Sequence, residues 1–253
     1  EIIVTAADRD LHSGYFGGAA ANPIHIVSRI CADLRDADGR IQIPGFYDGV
    51  EETPPHILQM WNGLGRTAEN FLGEVGLAIP VGEKGRTLLE LTWARPTAEV
   101  NGIIGGYTGE GFKTVIPGKA SAKISCRLVH QQDPEKIRTA FREFVRARVP
   151  ADCSVEFINH GGAPATQLPY DSPVLEKARA ALTAEWGKDA IMACMGGSIP
   201  IVGLIQSMLG LSSVMVGFGL ADDRIHSPNE KYDLTSFRGG QRSWARILDA
   251  LAR

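Results

Sequence analysis

The most constraining feature of this chain is the order in which its periodicities change. Residues 119–129 (KASAKISCRLV) alternate polar and apolar, the period-two pattern of a half-buried strand. Asp133-Pro134 follows, a cap and a first-turn proline, with Ile137, Ala140, Phe141, Phe144 and Val145 spaced for one helix face. A short β-branched run, SVEFI (154–158), comes next. The same rhythm opens the chain. IIVTAA (2–7) reads as a strand, Asn22-Pro23 starts a helix carrying Ile24, Val27, Ile30, Cys31 and Leu34, and Asp38-Gly39 ends it. Thr53-Pro54-Pro55 opens a short helix through about Gly63, Thr67 is positioned to cap another, and AEVNGII (98–104) is a strand. The resulting order, β-α-(insert)-β-β-α-β, is the ferredoxin-like one: an antiparallel sheet with two helices on one face. The expected fold class is therefore α+β.

HGGAPATQLPYDSP (160–173) reads as a linker, rich in Gly, Pro and turn residues. Beyond it the pattern changes to α/β. A helix is expected over about 173–186, then a Gly-rich turn (MGGSIP), a buried helix, a strand near 213–217, a loop over 218–233 and a last helix through Leu251. The strands are too few to close a sheet. The expected domains are 1–165 and 166–253.

The bulk properties exclude several classes. With 253 residues and a net charge of −3, the chain has no basic footprint for nucleic acid. No apolar run approaches the ~18 residues that span a bilayer. The opening EIIVTAADRDLHSG has neither a basic leader nor an initiator Met, and the expectation is a truncated or trimmed cytoplasmic chain. Cys31, Cys126, Cys153 and Cys194 are far apart and form no C-x-x-C pair, so buried reduced thiols are expected.

Candidate chemistry gathers in a few stretches. GFGLADDRIHSPNEKYDL (217–234) places His226 among Asp222, Asp223, Asn229 and Glu230; a neutral imidazole suits zinc, but one His among carboxylates is more often part of a solvated loop. GGYTGEGFKTVIPG (105–118) fails the phosphate-loop pattern because Phe112 separates Gly111 from Lys113, leaving a Gly-rich turn between strands that can present Lys113 or Thr114. In DLHSGYFGG (10–18), His12 and Ser13 are neighbours on an extended chain and point apart, which disfavours a nucleophile pair. GGSIP (196–200) reads as a helix-start turn capped by Ser198, with free N–H groups for an anion. His25 and His56 lie on helix surfaces, without a role. Arg127 lies within an alternating strand, either at the solvent face or reaching a carboxylate.

Five segments in order, RDLHSGYFGG, GGYTGEGFKTVIPGKASAKISCRLV, HGGAPA, GGSIP and ADDRIHSPNEK, resemble one family over essentially the whole chain. It comprises zinc-dependent dipeptidases, aminoacylases, acetylornithine and succinyl-diaminopimelate deacylases and carboxypeptidase G, and the likeness is greatest to the cytosolic nonspecific and carnosine dipeptidases. The resemblance implies a dimerising lid followed by the C-terminal part of a catalytic domain. It also implies a homodimer that cleaves the amide bond of small peptides or N-acyl amino acids. His226 is implied as the last ligand of a two-zinc site. His12 is implied as the lid histidine that stabilises the oxyanion in the other subunit's site, with Thr114 touching substrate across the dimer. Arg127 and Ser198 are implied to hold the substrate's terminal carboxylate, a task suited to a bidentate guanidinium. The family's H-x-D and Glu-Glu marks have no counterpart ahead of the lid. Glu51-Glu52 sits in the insert, so this chain by itself is expected to be inactive and to bind zinc weakly. Two positions depart from the dipeptidase pattern: Met195 stands where relatives carry Glu, which leaves the substrate open, and His130 stands where they carry Pro. The rival classes are a non-catalytic dimerisation module and a phosphate binder.

Overall fold

The computed structural model describes residues 1–195 and 199–253. They form two compact units, Glu1–Ala165 together with Met195, and Thr166–Cys194 with Ile199–Arg253.

The first unit runs β1 (Ile2–Thr5), β2 (Leu11–His12), α1 (Ser13–Phe16), α2 (Pro23–Ala32), α3 (Pro55–Asn62), α4 (Ala68–Gly73), α5 (Leu88–Trp93), β3 (Thr97–Gly105), β4 (Val115–Ile116), β5 (Lys119–Arg127), α6 (Pro134–Arg146) and β6 (Ser154–Phe157). Four strands make an antiparallel sheet in the order β3-β5-β1-β6. Ile2 faces Ala122 on one side and Phe157 on the other. Ile2 and Val4 are fully buried and share a face, as the period of two requires. On β5 the inward positions are Ala120 and Ala122, whose small side chains let a helix approach. That helix is α2, capped by Asn22 Oδ1 accepting the Ile24 N–H at 2.9 Å, with Ile26, Val27 and Ile30 buried. Helix α6 starts where Asp133 Oδ1 accepts the Glu135 N–H at 2.8 Å, and adds Ile137, Phe144 and Val145 to the same cluster. Each such side chain withdrawn from water contributes about 1.5–3 kcal/mol, which places most of the unit's stability here.

The insert between α2 and β3 is held by polar contacts as well as by Trp61, buried edge-to-face on Trp93. Thr67 with Asn70 and Thr87 with Glu90 make capping boxes at α4 and α5. Arg95 grips Glu83 through two 2.9 Å hydrogen bonds, both side chains buried. The turn after β5 receives the insert's other end. Gln131 N–H donates to Gly49 O at 3.1 Å, and the Nδ1 of His130 accepts the Glu51 N–H at 3.3 Å. A Cβ at Gly49 (φ +77°) would sit 2.8 Å from Gln131 O, so the approach requires glycine. His130 is buried in the left-handed region (φ +51°), and burial pushes its imidazole pKa down.

The second unit contains α7 (Pro173–Trp186), α8 (Pro200–Leu209), a 3-10 turn (Ala221–Asp223) and α9 (Leu234–Ala252). Helices α7 and α9 pack through Ala178, Ala181 and Ile247. Trp186 donates from Nε1 to Ser243 Oγ at 2.9 Å and stacks on Phe218. Three expectations are corrected. Residues 213–217 form no strand, because the described residues of this unit offer no neighbouring strand to complete a ladder. Val214 and Val216 instead pack against the α7–α9 cluster. Helix α8 is not buried: Ile201, Leu204 and Met208 are exposed. The cysteines are free but half-buried rather than buried. Among the described residues no helix is long and apolar enough to cross a membrane.

Candidate functional site

His12 and Thr114 are brought together by a two-stranded ladder outside the main sheet. β2 pairs with β4 so that Leu11 faces Ile116 and His12 faces Val115. Leu11 and Ile116 are buried and anchor the ladder, while His12 and Thr114 remain exposed. Thr114 is the middle residue of a tight turn, closed by Val115 N–H on Lys113 O at 3.0 Å, and its own carbonyl accepts the Ser13 N–H at 3.0 Å. The ladder meets the main sheet at Gly118. The Gly118 N–H donates to Asp10 Oδ1 at 2.9 Å, and its carbonyl accepts the Ala6 N–H at 3.0 Å. A Cβ at Gly118 would lie 3.1 Å from Ala7 O, so that corner is tight. Asp10 thus positions both candidates, and nothing in its sequence setting singles it out from a solvated loop carboxylate.

The imidazole of His12 has a defined direction. Its Nδ1 accepts the Gly14 N–H at 3.0 Å, so in the neutral ring the hydrogen sits on Nε2, at the free end. A Cβ at Gly14 would come within 2.9 Å of His12 Cε1, so glycine is needed for this arrangement. His12 therefore presents an N–H donor to solvent, and the Thr114 hydroxyl has no partner among the described residues.

Arg127 lies elsewhere. It ends β5 opposite Thr97, exposed and without a hydrogen bond or ion pair among the described residues. Lys119, beside the Gly118 corner, begins the same strand, and eight residue steps at 3.2–3.4 Å put the two ends about 26 Å apart. A dipeptide is under half that length, since two residues extend to about 7 Å. Arg127 and the Gly118 corner, to which the His12–Thr114 ladder is joined, therefore stand at opposite ends of one strand.

In the second unit His226 is exposed on the loop after the 3-10 turn, in the left-handed region (φ +63°), as are Arg224 and Asn229. This loop is held by Asp223, which is buried. Its carboxylate accepts the Leu220 N–H at 2.7 Å and the Lys231 ammonium at 2.9 Å, while Lys231 N–H bonds back to Asp223 O. The Leu220 amide, then Lys231, hold the Asp223 carboxyl below the usual carboxylate range; Asp223 in turn, then Asp222, raise the Lys231 ammonium. Sequence reasoning left Asp223 without a role beside His226; its buried carboxylate is spent on folding the loop. Ser198 lies outside the described residues. Among the described residues no group of three or more His, Cys, Asp or Glu side chains could hold a metal. Zinc sites use at least three protein ligands, so His226 and its described neighbours do not by themselves make one.

Comparison with known proteins follows the same lines. Residues 1–153 match the family described as the peptidase dimerisation domain. The Cys-Gly metallodipeptidase of Saccharomyces cerevisiae is 30% identical over 253 residues, 98% of this chain and 52% of that protein. The Beta-Ala-His dipeptidase of Rattus norvegicus is 28% identical over 99% of this chain and 51% of its own length. Among solved structures, a di-peptidase from Saccharomyces cerevisiae superposes with a TM-score of 0.78 at 28% identity, covering 98% of this chain and 53% of that one. A metallo-carboxypeptidase from Sulfolobus solfataricus shares the fold, with a TM-score of 0.81 at 24% identity over 98% of this chain and 57% of that one. The chain spans about half the length of the curated relatives it matches.

Proposed function

The chain belongs to the peptidase dimerisation domain family, and on that premise we propose that it forms part of a zinc-dependent metallopeptidase hydrolysing the amide bond of dipeptides or N-acyl amino acids. Residues 1–165 are the lid, ferredoxin-like in its strand order β3-β5-β1-β6, with the helical insert as an addition. Residues 166–253 are a segment of the catalytic domain. The lid pairs with a second copy to make a homodimer. A cytoplasmic location fits the four unpaired cysteines.

The observation that carries this reading is the separation of His12 and Thr114 from Arg127 along β5. Three groups suited to one small substrate, with Arg127 at the end of a strand about 26 Å long whose other end adjoins the corner of the His12–Thr114 ladder, make sense when each active site draws on two lids. In that arrangement Arg127, with Ser198, binds the substrate's carboxylate within one subunit. The partner's lid brings the His12 Nε2–H to the scissile carbonyl, where it donates to the oxyanion as the tetrahedral centre forms. Thr114 contacts the substrate beside it. His226 would be one of the residues that hold the metal, and zinc bound there would supply an activated water. The nucleophile's proton acceptor and the other ligands come from outside the described residues.

Subunit complementation tests this. In the intact enzyme, His12→Ala and Arg127→Ala should each abolish turnover. Mixed in equal amounts, unfolded and reassembled, they should regain about a quarter of wild-type activity, because half the dimers are hybrids and each hybrid has one intact site. No recovery in verified hybrids would rule out the shared-site reading. The second reading, a non-catalytic dimerisation or binding module, draws on the lack of a three-donor cluster among the described residues. It predicts that zinc and dipeptides leave even the intact protein without turnover.

A further inference from the structure

Two aromatic side chains stand beside the His12–Thr114 pair, one on each arm of the ladder. Tyr15, in the turn that His12 caps, is 81% exposed, and Phe112, two residues before Thr114, is 91% exposed. Single exposed apolar residues are ordinary; here two large exposed rings lie within three residues of His12 and Thr114 along the chain. The backbone around each is built rather than loose. Tyr107 donates its hydroxyl to Glu110 O at 2.8 Å and lies under the Lys113 ammonium. Its ring is folded so close to Gly109 that a Cβ there would lie 2.6 Å from the Tyr107 hydroxyl. The hairpin that carries Phe112 is thus closed by its own contacts and leaves the Phe112 ring outside them. On the other arm, Tyr15 packs edge-to-face on Phe16 at 5.0 Å, in a turn held by the Gly14 N–H to His12 Nδ1 bond.

We infer that Tyr15 and Phe112 form an aromatic wall that travels with His12 into the partner's active site, and that the preferred substrate carries a large apolar or aromatic side chain on the acyl side of its scissile bond. This rests on the shared-site reading above. The side follows from the chemistry. His12 addresses the scissile carbonyl, and Arg127 of the other lid addresses the carboxylate beyond the leaving nitrogen. Tyr15 is three residues from His12, a reach of at most about 10 Å, so it borders the residue that supplies the carbonyl. Rings of this kind recognise flat apolar groups by offset or edge-to-face contact.

The test uses the intact zinc-loaded enzyme and two dipeptides, phenylalanyl-glycine and alanyl-glycine. The wild type should favour the former in kcat/KM by at least about tenfold, or about 1.4 kcal/mol. Tyr15→Ala and Phe112→Ala should each shrink that ratio by roughly three- to tenfold, and Tyr15→Phe should retain it, since the ring and not the hydroxyl makes the wall. These surface substitutions are expected to leave the fold intact. A ratio unmoved by either alanine variant, while His12→Ala still abolishes turnover, overturns the aromatic wall and leaves the shared site standing. Turnover of both dipeptides that survives His12→Ala overturns the shared site and this inference with it.

Discussion

Glu83→Gln should destabilise the first unit by about 3 kcal/mol. Arg95 and Glu83 are only 6% and 5% exposed at their side chains, and they meet through Nε–Oε1 and Nη2–Oε2 bonds of 2.9 Å each. The amide keeps the shape of the carboxylate but removes its charge, leaving a buried guanidinium without its main counter-ion. Breaking one partner of a buried pair costs roughly 3–5 kcal/mol. The lower end applies because Glu52 lies 3.6 Å from Arg95 and the Tyr47 ring lies beneath it, so some compensation survives. Arg40, the other group on Glu83, is half exposed, and its loss adds little. With a urea slope of about 2–3 kcal/mol/M, the midpoint should fall by about 1–1.5 M. Trp61 and Trp93, paired inside the insert, report this transition by fluorescence. The double variant Glu83→Leu/Arg95→Met should recover to within about 1 kcal/mol, because an apolar pair of similar volume carries no desolvation cost. A midpoint shift below about 0.3 M for Glu83→Gln would refute the reasoning, and so would a double variant as unstable as the single.

Two further outcomes follow from the second unit. The Asp223 carboxyl is held below its ordinary value, so its contribution to the 220–231 loop is fully present above the unfolded value of about 3.9 and is lost as pH falls through the lower folded one. The protection of the Leu220 and Lys231 amides, relative to their intrinsic exchange at each pH, should therefore fall on acidification through that window, and Asp223→Asn should be unprotected already at neutral pH; pH-independent protection in the wild type would contradict this. Gly239→Ala should cost about 1–3 kcal/mol, since its Cβ would lie 2.5 Å from Trp186 Cζ2 in the α7–α9 contact. The expected sign is a lower thermal midpoint with a shifted Trp186 emission, and an unchanged midpoint would show that the indole moves away freely.

How far the sequence could be read depended on how local each cause was. Asn22 and Asp133 cap helices with their own side chains, and the alternation in 119–129 needs only the sheet's pleat, so these elements were legible. The two-residue strands β2 and β4 were not, because two residues carry no period. Helix α5 also escaped notice, although Thr87 and Glu90 spell a capping box, since six residues show little periodicity. The run at 213–217 misled in the other direction: β-branched residues state a preference, but a ladder requires a partner strand.

The sequence by itself determined the alternating strand, the caps, the family motifs and the identities of His12, Thr114, Arg127, Ser198 and His226 as candidates. Only the tertiary structure decided which of them meet. It joined His12 to Thr114 across a ladder closed by Asp10 and Gly118, and set Arg127 at the far end of β5. It also made Asp223, which the sequence left without a role, the clasp of its loop. The physical reason is that side-chain chemistry is carried by each residue, whereas distance is fixed by pairings between segments about a hundred residues apart.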